Sequence, residues 1–193
     1  MPAGGELELI DRFIEPRACA ELFAALRAEI LFEQRPIRIL GRTIMQPRLT
    51  AWIGDEGTAY TYSGLLNQPA PWPPCLLELR ASITRAAGAP FNSVLCNLYR
   101  DGADSMGLHA DAERELGPEP VIASLSLDAT RRFQVRHRKR AGDRLDLELA
   151  SGSLLVMRGA LQRHYRHAVP KERALTAPRI NLTFRRIHAP SST

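Results

Sequence analysis

The sequence predicts a mainly β chain with flanking helices (α+β), its strands forming a two-sheet sandwich or barrel. Three observations carry this. From Phe91 onward, short alternating segments follow one another at turn-sized intervals, the signature of sandwiches and barrels. Both helical patterns fall in the first half, where they can cover one sheet. The 193 residues show no internal repeat, low-complexity run or linker, so residues 1–193 read as one domain large enough to bury a full core.

The elements follow in order. Leu7-Glu8-Leu9-Ile10 reads as a short strand. Pro16, favoured in a first helical turn, starts a helix with Cys19, Leu22, Phe23, Leu26 and Ile30 at helical spacing. The segment from Arg35 to Leu40 alternates and is expected to pair with residues beyond the turn at Gly41, making Ile39-Leu40-Gly41-Arg42 an exposed hairpin tip. Pro47 to Trp52 and Tyr60 to Gly64 are further extended pieces. A Pro-rich stretch, Pro69 to Pro74, leads into a second helix carrying Leu76, Leu77, Leu79 and Ile83. Strands are then expected at Ser93–Tyr99, Val121–Leu127, around Phe133 and Val135, around Leu145 to Leu149, at Ser153–Met157 and from Arg179 to Ile187. The tail from Pro190 is expected to fray.

Composition narrows the setting. No apolar run is long enough to span a membrane, and the first residues lack the basic start and apolar core of a signal peptide. Cys19, Cys75 and Cys96 are odd in number and widely spaced, which fits neither a zinc site nor a disulfide framework and suggests a reducing interior. A bacterial cytoplasmic protein is therefore expected. The net charge of +5 permits a polyanionic partner.

The chemistry starts at His109-Ala110-Asp111. On a strand, residues i and i+2 share a face, so an imidazole and a carboxylate can converge on one metal ion. A second histidine would complete a two-His, one-carboxylate triad with open coordination positions, which suits non-haem Fe(II). His137, His164, His167 and His188 are the candidates. His167, after the strand that begins near Gly152, is the best placed, and His164 is its rival in the same segment. Along Arg179-Ile180-Asn181-Leu182-Thr183-Phe184-Arg185, the residues Arg179, Asn181, Thr183 and Arg185 share one face. If the apolar face packs between sheets, the arginines sit in water. If the polar face points into the barrel, two guanidinium groups are confined and need anions. A dicarboxylate fits, because Arg grips carboxylates bidentately, and Asn97 and Tyr99 on a neighbouring face can add neutral hydrogen bonds. Iron ligands beside such grips imply 2-oxoglutarate as co-substrate.

Two further features bear on a partner. Glu113 lies on the His109/Asp111 face if that strand continues. The run from Arg131 to Arg144 holds seven Arg or Lys, including Arg136, Arg138, Lys139 and Arg140, which phosphate contacts would explain; Arg42 and Arg48 could flank the same site.

In the motifs Asn97-Leu98-Tyr99, His109-Ala110-Asp111, His167 and Pro178-Arg179-Ile180-Asn181-Leu182-Thr183-Phe184-Arg185 the chain resembles the AlkB-type Fe(II)/2-oxoglutarate dioxygenases. The likeness covers roughly residues 36–187 and looks greatest toward the animal AlkB homologues that repair duplex DNA. The resemblance implies a double-stranded β-helix (jelly roll) with its catalytic core at about 91–187 and an N-terminal nucleotide-recognition lid at about 36–64. It implies O2-dependent oxidative removal of N-alkyl groups, such as those of N1-methyladenine and N3-methylcytosine, with release of formaldehyde, succinate and CO2. It gives His109, Asp111 and His167 to the metal. Asn97, Tyr99, Arg179, Asn181, Thr183 and Arg185 go to 2-oxoglutarate, with Arg179 on the distal carboxylate. Glu113, Tyr60, Tyr62 and Ser63 go to the flipped base, with Tyr62 the favoured stacking partner. Ile39, Leu40 and Gly41 go to a wedge that fills the gap left in the helix. The wedge has Leu40 where the duplex-repairing relative carries an aromatic, so duplex and single strand remain alternatives.

Other readings keep part of this. The same chemistry on RNA or single-stranded DNA uses the same metal motifs. A non-catalytic jelly-roll nucleic-acid binder would need neither the metal ligands nor the arginines. A zinc hydrolase would leave Arg179 and Arg185 unexplained. The expected partner is alkylated DNA, acted on by a monomer with no membrane and no obligate protein partner.

Overall fold

The computed structural model describes residues 1–39, 41–58, 60–62 and 65–188, the side chains of 38, 39, 60–62 and 65–67 excepted. Leu40 and Ser63 lie outside these residues. Two antiparallel sheets dominate. The larger has six strands in the order β1-β12-β9-β14-β7-β4 and the smaller four in the order β11-β10-β13-β8. The large sheet comprises β1 (Gly5–Ile10), β4 (Leu49–Gly54), β7 (Ser93–Tyr99), β9 (Ile122–Asp128), β12 (Leu154–Gly159) and β14 (Arg179–Arg185). The small one comprises β8 (Met106–His109), β10 (Arg131–His137), β11 (Arg144–Leu149) and β13 (Tyr165–Val169). This is the jelly roll. Two hairpins stand apart from the main sheets: β2 (Pro36–Ile39) with β3 (Arg42–Met45), and β5 (Tyr60–Tyr62) with β6 (Leu65–Asn67). The strand between them, β4, is an edge strand of the large sheet, so the stretch 36–64 is not wholly a lid.

Helices α1 (Pro16–Glu29) and α2 (Pro74–Ala87) each begin with proline, as expected of a residue with no N–H to satisfy. Helix α2 ends at Gly88, whose positive φ of 62° suits glycine. Cys19 and Leu26 of α1 and Leu76, Leu79 and Ile83 of α2 form one core with Val94, Cys96, Ile180, Leu182 and Phe184. The outer face of the large sheet is therefore apolar and covered by helices. The period-2 alternation of β14 then turns Arg179, Asn181, Thr183 and Arg185 inward, which decides between the two orientations left open by the sequence. A second core, including Phe133, Val135, Leu149, Leu155, Met157 and Tyr165, fills the space between the sheets. Burying each large apolar side chain contributes about 1.5–3 kcal/mol.

The sequence reading missed three local features. Strand β8 stops at His109, so Asp111 and Glu113 follow it in a loop that leads into a 3-10 turn (Arg114–Leu116) rather than on a continued strand. More than a loop separates His167 from β12. A one-turn helix, α3 (Leu161–His164), intervenes, and His167 sits in the middle of β13. Among the described residues no helix is long and apolar enough to cross a membrane.

Candidate metal centre and co-substrate pocket

His109 and His167 meet because β8 and β13 pair antiparallel with these two residues opposite each other. Their rings lie 4.3 Å apart, edge to face. Asp111 reaches them from the loop after β8, with Oδ1 3.9 Å from His109 Nε2 and Oδ2 3.7 Å from His167 Nε2. One ligand atom from each of the three lies within 4.8 Å of the others. Gln162, in α3, accepts the backbone N–H of Asp111 at 3.0 Å and so pins the loop to the element preceding β13. The Nδ1–H of His109 donates to the Gly107 carbonyl at 2.9 Å, which fixes the ring with Nε2 as the nitrogen turned toward Asp111. Phe133 stacks on His167 at 5.3 Å.

The electrostatics match a cation site. Burial would push the Asp111 carboxyl up, but the guanidinium of Arg185 and the two histidines outweigh it and hold the group below the usual carboxylate range. Burial, with His109 beside it, pushes His167 down to about 3, so it is a neutral imidazole at physiological pH. Asp111 Oδ2 is buried with no hydrogen-bond partner among the described residues, while Oδ1 accepts Arg185 Nη2 at 2.7 Å. A buried carboxylate oxygen facing two imidazole nitrogens fits a divalent metal ion.

The pocket beside this cluster is built from three neighbouring strands. Asn97 and Tyr99 of β7 stand opposite Asn181 and Arg179 of β14, and Ser124 and Ser126 of β9 stand opposite Thr183 and Asn181 on the other side. Arg179 is 1% exposed; its Nη2 donates to Ser126 Oγ at 2.9 Å, and its Nε and Nη1 are buried with no hydrogen-bond partner among the described residues. Its charge centre sits 5.3 Å from the Tyr99 ring. Burial lowers its pKa to about 10, which still leaves it charged at neutral pH. A buried cation with two idle donors fits an acid group. Asn181 and Thr183 line the same pocket, but their side chains bond mainly to one another and to β9: Asn181 Nδ2 donates to Ser124 Oγ and to the Leu125 carbonyl, and Thr183 Oγ1 donates to Asn181 Oδ1. They hold strands in place more than they offer donors to a ligand.

The remaining expected residues divide. Ile39 pairs with Arg42 across the tip of the first hairpin, Gly41 turns it with φ of 77°, and Arg42 is exposed. Tyr60 and Tyr62 lie on β5. Glu113 follows the metal loop, with Oε2 buried and unpartnered among the described residues. Lys139 and Arg140 are exposed beside Arg138, whose Nη2 donates to the Gln162 carbonyl. With His137, Arg163 and His164 they line a surface cleft of about 440 Å³. His164 stacks parallel on His137 there, 6.2 Å away, which removes it from competition for the metal. Arg136 is ion-paired with Asp146, so part of its charge is spent. Two basic residues are corrected. Arg48 is 3% exposed and bonds Asn97, so it cannot reach a phosphate. Arg131 is buried as well, pairing with Glu172 and bonding the carbonyls of Asp104 and Pro170. The sequence reading also passed over Gln162, Ser124 and Ser126 as site residues. The two serines alternate with apolar neighbours on β9, which was the available signal; Gln162 lies on a helix too short to leave one.

The family model of the 2OG-Fe(II) oxygenase superfamily matches residues 6–185. The chain is 42% identical over 185 residues to the alpha-ketoglutarate-dependent dioxygenase alkB homolog 3 of Bos taurus, which covers 91% of this chain and 64% of that protein. It is 40% identical over 177 residues to the DNA oxidative demethylase ALKBH2 of Homo sapiens, covering 86% of this chain and 68% of the relative. It thus spans about two thirds of the length of these proteins. The solved structure of OsALKBH1 superposes with a TM-score of 0.68 at 17% identity, covering 93% of this chain and 97% of that one, a likeness of fold. The family's cofactors are Fe(II), 2-oxoglutarate and O2, and the His109, Asp111 and His167 cluster fits the metal. The chain belongs to the AlkB family within the 2OG-Fe(II) oxygenase superfamily.

Proposed function

We propose that this protein is a DNA repair dioxygenase that removes N-alkyl groups, such as those of N1-methyladenine and N3-methylcytosine, from DNA bases. The observation that carries the reading is one interior face that joins a two-His, one-carboxylate cluster to the buried guanidinium of Arg179. Its similarity to a DNA oxidative demethylase supports DNA as the substrate. His109, Asp111 and His167 hold the iron. Arg179, with Tyr99 beside it, binds the distal carboxylate of 2-oxoglutarate, and Asn97 and Arg185 serve the end nearer the metal. When bound, the iron supplies O2 activation: one oxygen atom enters succinate as CO2 leaves 2-oxoglutarate, and the other hydroxylates the N-methyl carbon. The resulting N-hydroxymethyl group loses formaldehyde and returns the ring nitrogen to its unalkylated state. The chain's residues orient the two substrates and exclude side reactions.

The base is taken from the stack into the mouth of the pocket. Tyr60 and Tyr62 on β5 are proposed to stack on it, which is worth roughly 1–3 kcal/mol per base. The carboxylate of Glu113 attracts the cationic alkylated base. The tip of the β2–β3 hairpin fills the vacated stack, and Arg42, Arg138, Lys139 and Arg140 contact phosphates.

The test supplies anaerobically prepared protein with Fe(II), 2-oxoglutarate and ascorbate, then air, together with alkylated or unmodified oligonucleotides as single strand, duplex and RNA. Succinate release stimulated by the alkylated DNA strands is expected. Release that ignores alkylation contradicts the dealkylase, and stimulation by RNA alone moves the activity to RNA.

A further inference from the structure

Arg48 has no place in the pocket described so far, yet it is buried against its wall. It precedes β4, which pairs with β7 through Leu49 opposite Leu98 and Thr50 opposite Asn97. Its Nε donates to Asn97 Oδ1 at 2.8 Å, and Nη1 reaches the Ser105 carbonyl at 3.5 Å. Among the described residues it has no carboxylate partner, although it is 3% exposed. A buried guanidinium held only by neutral oxygens is costly unless an anion comes near.

The contact with Asn97 has a directional consequence. Arginine offers donors only, so the Asn97 atom facing it must be the oxygen. The amide is thereby fixed with Nδ2 on its other side, where its only protein partner among the described residues is the Leu95 carbonyl at 3.5 Å, the outer limit of a hydrogen bond. Asn97 lines the pocket together with the metal cluster. An acid group there needs donors, and a rotated amide would offer it a carbonyl instead. Backbone geometry reinforces the arrangement: Ser105 N donates to the Pro47 carbonyl at 2.9 Å, tying the segment that carries Arg48 to the start of β8 and hence to His109.

We propose that Arg48 is a positioning residue for 2-oxoglutarate, acting through Asn97, whose amide it locks with the NH2 group available to the co-substrate. This rests on the 2-oxoglutarate reading above. It differs from a DNA-contact role, which burial rules out, and from a merely structural one, which would not be relayed through a single neighbour.

The experiment measures 2-oxoglutarate binding by calorimetry on protein loaded with Mn(II), which occupies such sites without turnover. Arg48→Met should weaken 2-oxoglutarate binding about tenfold, the size of one lost charge-assisted hydrogen bond. Asn97→Ala should weaken it comparably, and the double variant no further than Asn97→Ala alone, because both changes remove one device. Arg48→Gln retains an N–H for Asn97 Oδ1 and should stay within a few-fold of wild type, which also provides a readout if Arg48→Met folds poorly. Mn(II) affinity should not change. Unaltered 2-oxoglutarate affinity in Arg48→Met, additive losses in the double variant, or a Gln variant as weak as Met would each overturn the role of Arg48. A wild-type protein that binds no 2-oxoglutarate would instead overturn the functional reading on which it rests.

Discussion

At the scale of the residue, the site depends on groups that hold other groups. Gln162 accepts the Asp111 N–H and never faces the metal itself. Gln162→Leu leaves that N–H buried and unsatisfied and frees the loop, so metal affinity should fall roughly 10–100-fold while the fold persists, as read by Mn(II) titration and thermal melting. His109→Ala removes a ligand outright and should abolish turnover. Glu113 gives a different signature. Its buried, unpartnered Oε2 faces no protein donor among the described residues, so Glu113→Ala should lose preference for alkylated over unmodified bases while substrate-independent succinate release continues. Equal loss of both activities would assign Glu113 to the fold.

At the scale of the element, β14 is where sequence and site coincide. Its alternation places Phe184 under the helices and Arg185 beside Asp111, so one strand serves core and chemistry at once. Phe184→Ala should cost about 3–5 kcal/mol in denaturant unfolding. The turn between β7 and β8 is held by Asp104, which accepts two bonds from the Arg100 side chain at 2.8 Å each and one from its backbone. Burial pushes the Asp104 carboxyl up, but these bonds and the charge of Arg100 bring it below the ordinary range. A depressed carboxyl stabilises the fold above its unfolded pKa, and that contribution is lost as pH falls through the folded value. Asp104→Asn should therefore melt below wild type at pH 7, with the gap narrowing as pH falls to 3, as tested by melting across that range; a variant with the wild-type profile would contradict this.

The same strands show what a sequence can and cannot disclose. Periodicity and the Arg-x-Asn-x-Thr-x-Arg spacing made β14 and its two faces legible, and the helix covering followed from Cys19, Leu26, Leu76 and Ile83. His109 and Asp111 were legible as a pair, although for a reason that only half holds, since Asp111 is presented by a loop pinned by Gln162. The environment of basic residues was not legible. Arg48, Arg131 and Lys139 look alike in a charge count, yet the first two are buried in polar sockets formed by distant segments and the third is exposed. A socket assembled from Asp104, Pro170 and Glu172 leaves no local pattern.

The whole molecule combines one interior polar face with two small hairpins outside the main sheets and a basic surface cleft. Phosphate contacts at the exposed positions predict that replacing Lys139 and Arg140 together with glutamine weakens binding across DNA sequences and reduces the salt dependence by about two ions. In the proposed function this interior face couples 2-oxoglutarate decarboxylation to dealkylation of DNA. Mass spectrometry of a duplex carrying a single N1-methyladenine, after aerobic incubation with Fe(II)-loaded protein and 2-oxoglutarate, tests it most directly. Conversion to adenine is expected, with one formaldehyde and at least one succinate per base restored, and no conversion with His109→Ala; an unchanged methylated strand, or conversion equal in the two proteins, would contradict the dealkylase.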